Sequence, residues 1–363
     1  MKIIADENIP YAYDAFSNIG EVTLVSGRNI PSLKNVDALV VRSITKVNSQ
    51  LLDGSSVKFV GTSTIGFDHI DREYLESNNI GFASAPGSNS NSVSEYVVAA
   101  LLVYAERYGI TLEGSSIGVI GVGNVGSKVV KKCEALGMTV LKNDPPLKDQ
   151  TQDPSFLSLE DVLKADFVTL HVPLTKTGKY STYHMVNDNF IASMDGVLIN
   201  SSRGSVVDEK PLIKALGKNI KTAILDVWEN EPNINHNLAI QIDGTPHIAG
   251  YSFDGKVNGT QMMYDSICSH FGIKPEWDAK DVVPAGTKIT CTGNSDEDVL
   301  RDAIFQVYDI RKDYETFQKY MAEFDRLRKE YPIRREFPAT EVTFDGSESA
   351  KRKLTGLGFK VKN

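Results

Sequence analysis

The sequence predicts an α/β protein: two doubly wound domains, the first of them discontinuous, followed by a small C-terminal α+β module. Three observations carry that prediction. Short apolar runs alternate with helical stretches through most of the 363 residues, the pattern of parallel sheets covered by helices. One apolar run, Ile117 to Ile120, ends in the glycine turn Gly121-Val122-Gly123-Asn124-Val125-Gly126 and is followed by a helical pattern from Asn124. Beyond Pro284 the alternation gives way to aromatic residues at helical spacing and clusters of basic ones.

Taken in order, residues 1–92 carry the strand-like runs Ile3-Ile4-Ala5, Val22 to Val25, Ala38 to Val41, Phe59-Val60-Gly61 and Gly81-Phe82-Ala83. Ligands in such sheets sit beyond the carboxyl ends of strands. That rule makes Arg42-Ser43 and the stretch Thr62-Ser63-Thr64-Ile65-Gly66 candidate substrate loops. After the loop-forming cluster Pro86 to Asn91, Val93, Tyr96, Val97, Ala100, Leu101 and Tyr104 fall at helical spacing. Ser92 or Ser94 is placed to cap this helix, which leads into a second domain over 93–254. Its runs are Ile117 to Ile120, Met138 to Leu141, Phe167 to Val172, Gly196 to Asn200, Thr222 to Asp226 and Pro246 to Ala249. A helical pattern over 255–271 returns the chain to the first domain, which resumes over 255–283. Residues 284–363 form the third module, with one helix through Val299, Ala303, Ile304 and Val307, another through Tyr314, Phe317, Tyr320 and Phe324, and a strand at Val342-Thr343-Phe344.

The glycine turn reads as a dinucleotide cradle of Rossmann type. Gly121 makes the tight turn, Gly123 lets backbone approach a pyrophosphate, and Gly126 lets helix and strand pack closely, so that phosphates meet helical N–H groups. Asp144 follows the second strand of the unit. A carboxylate there accepts from ribose hydroxyls and repels an added phosphate, which selects NAD over NADP.

Composition narrows the function classes. The net charge of −8 disfavours nucleic acid, and an anionic substrate then needs a local positive pocket. No apolar run approaches a membrane span, and Met1 to Asp6 turns polar too soon for a signal peptide. A cytoplasmic protein is expected. Cys133, Cys268 and Cys291 lack metal-ligand spacing and read as buried filler in a reducing compartment, and no metal is expected.

Three polar residues end successive elements of the second domain: Arg203 in Asn200-Ser201-Ser202-Arg203-Gly204, Glu231 in Asp226-Val227-Trp228-Glu229-Asn230-Glu231-Pro232, and His247 in Thr245-Pro246-His247-Ile248-Ala249-Gly250. A guanidinium holds a carboxylate bidentately, an imidazole moves a proton near neutral pH, and a neighbouring carboxylate orients the ring. That set suffices to oxidise an alcohol next to a carboxylate. The order of these motifs resembles the D-2-hydroxyacid dehydrogenase family over essentially the first 280 residues. Ala5 to Pro10, Val41-Arg42-Ser43, Gly66 to Asp71, Asn143 to Pro146 and Phe324 to Pro332 resemble a branch of that family acting on a small 2-hydroxy acid 4-phosphate.

The resemblance implies that Arg203 anchors the substrate carboxylate, His247 is the acid–base residue and Glu231 supports it. It implies NAD contacts at Asp144, Val172, Ser201, Ser202, Arg203, Asp226 and Gly250, and substrate contacts at Ser43, Thr64 and Tyr251. Valine at position 172 stands where similar chains carry threonine, leaving only a backbone contact. Arg42 is the nearest candidate for a substrate phosphate. Arg334 and Arg335 are a second, reached from a partner subunit, although a solvated basic turn is the simpler reading of that pair. The C-terminal module is expected to hold a homodimer together. The competing readings are a dehydrogenase for another 2-hydroxy acid, such as 3-phosphoglycerate or glycerate, and a non-catalytic NAD(H)-sensing scaffold.

Overall fold

A computed structural model describes residues 1–362, which fall into two compact units: Met1–Asn89 with Ser252–Ala285, and Ser90–Tyr251 with the segment from Gly286 onward. The first unit is therefore discontinuous. Its boundaries lie two or three residues from the positions read in the sequence, and residues beyond 285 cluster with the second unit instead of standing apart.

The first unit holds five strands, β1 (Lys2–Asp6), β2 (Glu21–Val25), β3 (Ala38–Val41), β4 (Phe59–Thr62) and β5 (Gly81–Ser84), all parallel in the order β2-β1-β3-β4-β5. β3 and β4 are buried at every residue, as sheets covered on both faces require, hence their unbroken apolar runs. The returning helix Phe253–Phe271 places Met263, Tyr264 and Ile267 in one core with Ile3, Ala38 and Phe59. The order of strands reverses between β1 and β3, and Arg42-Ser43 follows β3 at that switch point.

The second unit holds β6 (Ser116–Ile120), β7 (Thr139–Asn143), β8 (Phe167–Leu170), β9 (Gly196–Asn200), β10 (Ile220–Leu225) and β11 (Asp243–Gly244), parallel in the order β11-β10-β9-β8-β6-β7. The glycine turn follows β6 at the switch point of this sheet. The helix after it spans Gly126–Ala135, two residues later than the pattern suggested. The run Pro246 to Ala249 is not a strand. Pairing stops at Gly244 because Pro246 has no N–H to donate, His247 has a left-handed backbone at φ 58°, and the N–H groups of Ile248 and Ala249 go to the Asp226 carboxylate.

Three further strands, β12 (Thr287–Cys291), β13 (Thr340–Phe344) and β14 (Lys360–Lys362), form a separate parallel sheet in that order. The C-terminal segment shares its core with the six-stranded sheet of the second unit. Ile304, Leu354 and Phe337 cluster with Tyr96, Val103 and Cys133, while Phe317 and Phe324 cluster with Trp228 and Leu225. The helix Ser90–Tyr108 runs through the middle and is buried almost throughout, so Ser92 and Ser94 are interior residues instead of caps. Buried polar contacts tie the same helix to the tail. Asn91 donates to Glu95 and Glu336 at 2.7 and 2.9 Å, and Lys132 lies 3.9 Å from Glu95 and donates to the carbonyl of Leu357. Burial pushes the Glu95 carboxyl up to about 8 against the pull of Lys132. Arg334, read as a solvated basic turn, is 5% exposed and donates to Ala249 O at 2.6 Å and to Ser92.

Phe317 is fully buried between Trp228 and Phe324, with ring centroids 5.3 and 6.2 Å away. Phe317→Ala should destabilise the whole unit by about 3–5 kcal/mol, measured as a lowered midpoint of urea unfolding followed by tryptophan fluorescence. An unchanged midpoint would mean the tail is an independent appendage.

Candidate active site

At the carboxyl edge of the second unit's sheet each glycine of the turn has a separate steric reason. Gly121 has φ 85° and a side chain there would strike the carbonyl of His171. A Cβ on Gly126 would fall 1.9 Å from the carbonyl oxygen of Gly121, whereas one on Gly123 would meet nothing within 4 Å. The space in front of Gly123 is what backbone approach to a pyrophosphate needs, and the contact behind Gly126 is the close helix–strand packing. Val125 packs into the core below the turn and Val172 lies beside Gly121. Asp144 accepts from Val122 N–H at 2.8 Å and caps the helix Pro145–Thr151 by accepting from Leu147 N–H at 3.0 Å. Its carboxylate thus already holds the turn, and each oxygen retains a lone pair for a ribose hydroxyl.

Two polar atoms at the ends of β8 and β9, His171 Nδ1 and Ser201 Oγ, are buried without a hydrogen-bond partner. Leaving such groups unpaired costs roughly 1–3 kcal/mol each, which a polar ligand at the sheet edge would recover. Burial holds the His171 ring neutral, pushed down to about 3. The next turn is set by Asn200, which the sequence reading did not single out. Its side-chain oxygen accepts from Ser202 N–H at 3.0 Å and Ser202 Oγ at 2.7 Å, and its amide donates to Arg203 O at 3.0 Å. Ser202 is thereby committed to the turn. Arg203 Nη1 donates to Ser202 O at 2.7 Å. Gly204 follows, and a Cβ there would fall 1.9 Å from Trp228 O, so the Arg203 turn seats directly on the loop that carries Glu231.

Glu231 and His247 meet: His247 Nδ1 lies 2.7 Å from Glu231 Oε2, and Glu231 Oε1 accepts from Trp228 N–H at 2.8 Å. Burial opposes ionisation of Glu231, but the His247 ring, the Trp228 N–H and the more distant Arg328 together hold its carboxyl below the usual range. Asp226, expected to contact the cofactor, is built into the His247 turn. It is 1% exposed and its oxygens accept from Thr245 Oγ1 at 2.7 Å, Ile248 N–H at 2.7 Å and Ala249 N–H at 3.0 Å. Burial raises its carboxyl, with the His247 ring and these donors pulling the other way. Thr245 is held in turn by Tyr96, whose hydroxyl is 2.9 Å away, and its carbonyl accepts from Trp228 Nε1 at 2.9 Å. Gly250 lies in the turn that Tyr251 N–H closes on Ile248 O at 2.8 Å, and the Tyr251 ring meets Tyr331 edge-on at 6.1 Å.

In the first unit Arg42 is half-buried and Ser43 exposed at the end of β3. Among the described residues Arg42 has no ion pair. The Thr64 hydroxyl lies 2.8 Å from Thr62 Oγ1 and donates to Gly66 O at 3.0 Å. The described residues hold no cluster of side chains suited to a metal ion. All three cysteines are free and buried, and no helix is long and apolar enough to cross a membrane.

Similarity to known proteins matches this geometry. The model for the D-isomer specific 2-hydroxyacid dehydrogenase NAD-binding domain matches residues 92–249, and one described as a domain of unknown function matches 282–358. The chain is 44% identical to the erythronate-4-phosphate dehydrogenase of Proteus mirabilis over 99% of both chains, and 44% identical to that of Escherichia coli over 99% of this chain and 98% of the other. Among solved structures, the Aquifex aeolicus D-lactate dehydrogenase complexed with NAD and lactic acid superposes with a TM-score of 0.61 at 25% identity, covering 75% of this chain and 96% of the other. The NAD-bound 3-phosphoglycerate dehydrogenase of Entamoeba histolytica shares the fold, with a TM-score of 0.63 at 23% identity over 77% of this chain and 98% of that one. A glycine cradle open at its second position, a carboxylate–imidazole pair at the sheet edge and full-length identity at this level place the chain in the D-2-hydroxyacid dehydrogenase family.

Proposed function

We propose that the chain oxidises 4-phospho-D-erythronate with NAD to the 2-oxo acid 3-hydroxy-2-oxo-4-phosphobutanoate, a step toward pyridoxal 5'-phosphate. The observation that carries the chemistry is the His247–Glu231 pair, 2.7 Å apart at the edge of a dinucleotide-binding sheet. With Nδ1 bonded to Glu231, the Nε2 atom of His247 is the one that takes the proton of the C2 hydroxyl. Glu231 holds the ring in that tautomer and stabilises the imidazolium that forms. Arg203 binds the carboxylate through its fork of N–H donors and so orients C2. Bound NAD would supply the acceptor for the C2 hydride. Gly121 to Gly126, Asp144, Ser201 and Gly250 would hold it.

The full-length likeness to erythronate-4-phosphate dehydrogenases supports the choice of substrate, and Arg42, without an ion pair beside Ser43, supplies a cation for its phosphate. Ser43, Thr64 and Tyr251 complete the substrate contacts in this reading. A homodimer is supported by Ile333 and Tyr320 of the C-terminal segment, which stand 80% and 36% exposed. Free buried thiols fit the cytoplasm.

His247→Asn should lower kcat by about 10²- to 10⁴-fold while NADH binding, read by fluorescence, is kept. Near-normal turnover would overturn the assignment. Asp144→Ser should raise kcat/KM with NADP relative to NAD, since the anion that repels the added phosphate is gone, and an unchanged ratio would remove Asp144 from the ribose site. Arg42→Ala should erode discrimination between the phosphorylated acid and its unphosphorylated counterpart, which steady-state kinetics on the two will read. Light scattering of the full chain should give twice the protomer mass of 39.9 kDa; a single protomer mass would rule out the dimer.

A further inference from the structure

We infer that Arg334, from the C-terminal segment, is a positioning residue for His247: with Ser92 it clamps the carbonyl of Ala249 and so fixes the turn that presents the imidazole. This rests on the function proposed above and extends it to a residue that touches neither substrate nor cofactor in that reading.

Ala249 O accepts from Arg334 Nη2 at 2.6 Å and from Ser92 Oγ at 2.7 Å, and Arg334 Nη2 also donates to Ser92 Oγ. On its other side Ala249 gives its N–H to Asp226 Oδ2 at 3.0 Å, the carboxylate that takes the Ile248 N–H at 2.7 Å. Both backbone polar groups of Ala249 are therefore committed. One goes to the end of β10, the other to a donor pair supplied by the tail and by the helix Ser90–Tyr108. His247 stands two residues earlier with φ 58°, its N–H on Asp226 O at 2.7 Å. A side chain carried on left-handed backbone keeps its direction only while the flanking peptides are held. The clamp holds them from the side that Asp226 does not reach.

The choice of arginine argues for this role over packing. Arg334 is 5% exposed, and its Nε and Nη1 are buried without a hydrogen-bond partner. An apolar side chain would fill the same space without leaving buried N–H groups unsatisfied. What arginine adds is a single nitrogen with two hydrogens, one for Ala249 O and one for Ser92 Oγ. The guanidinium is held for that task by the Tyr308 ring, whose centroid lies 4.1 Å from Arg334 Cζ. Tyr308 is fixed in its turn, its hydroxyl donating to Asp313 at 3.1 Å. The tail thus delivers a rigid donor to a carbonyl two residues from the acid–base residue.

The test compares Arg334→Met, Ser92→Ala and Leu354→Ala in the full chain, by steady-state oxidation of 4-phospho-D-erythronate with NAD. Arg334→Met should lose about tenfold in kcat and Ser92→Ala about threefold, each with KM for NAD within about twofold of the wild type. Leu354→Ala removes a buried apolar group of the same segment and leaves the clamp's donors in place. It should lower the melting midpoint yet keep kcat within about twofold. An unchanged kcat in either clamp variant, or an equal loss in Leu354→Ala, would overturn the proposal; Ser92→Ala decides it alone if Arg334→Met fails to fold. Absence of turnover in the wild type would defeat the functional reading alone. Amide hydrogen exchange still judges the clamp in that case. The peptide carrying Ile248 and Ala249 should exchange about tenfold faster in Arg334→Met, with β10 at its wild-type rate. Unaltered exchange at Ile248 and Ala249, or equal acceleration in β10, would reject the proposal.

Discussion

The site depends on one buried carboxylate. Desolvating a carboxylate costs several kcal/mol unless donors replace water, and Asp226 has three: the Thr245 hydroxyl and the N–H groups of Ile248 and Ala249. These donors bracket His247, whose own N–H bonds to Asp226 O at 2.7 Å. A residue with φ 58° is strained outside glycine, so the turn keeps this conformation only while the carboxylate gathers the flanking N–H groups. Asp226 is anchored by its own N–H on Asn200 O at 2.9 Å, and Asn200 builds the Arg203 turn. The guanidinium and the imidazole therefore follow β9 and β11, the two neighbours of β10, and share one hydrogen-bond system through Asp226 at the end of β10. Gly204, seated against Trp228 O, adds the Glu231 loop to the same rigid piece.

That arrangement explains which parts of the chain were legible in the sequence. Short apolar runs mark strands whether they are fully buried, as β3 and β4 are, or lie at the edge, as β2 does, and all five strands of the first unit and five of the six in the second stand where the runs do. The glycine turn was legible because each glycine answers a local steric demand. Glu231 and His247 could be paired because both follow strands that converge at one edge. Pro246 to Ala249 has the composition of a strand and was misread because its N–H groups are claimed by a carboxylate some twenty residues earlier, which no local pattern records. Asp226 has a structural role that the sequence does not record: a carboxylate after a strand marks a ligand site in general, and only the fold shows the three donors it gathers within the protein. Asn200 carries no local signal of its role beyond its residue type.

The C-terminal segment, matched by its own domain model over residues 282–358, shares its core with the second unit. Aromatic residues at helical spacing after a change of character suggest a separate module. Phe317, Phe324 and Phe337 are nevertheless core residues of the second unit, and Arg334 ties the segment to Ser92 and Ala249, the residue that also donates to Asp226. The same chain of contacts that packs the tail thus ends on the His247 turn. A tail attached in this way is part of the framework that holds the His247 turn.

Charge completes the logic. A chain of net charge −8 repels a substrate that bears both a carboxylate and a phosphate, so attraction has to come from cations left without internal partners. Many of its arginines have such partners: Arg107 bonds Asp243 through two N–H groups, and Arg311 bonds Asp309 and Glu106. Arg42 in the first unit and Arg328 in the second have no ion pair among the described residues, and neither is fully exposed. A guanidinium withdrawn from water but not neutralised is costly to keep in the folded state. Such a cost is retained where the charge acts on something else, such as an anion that arrives.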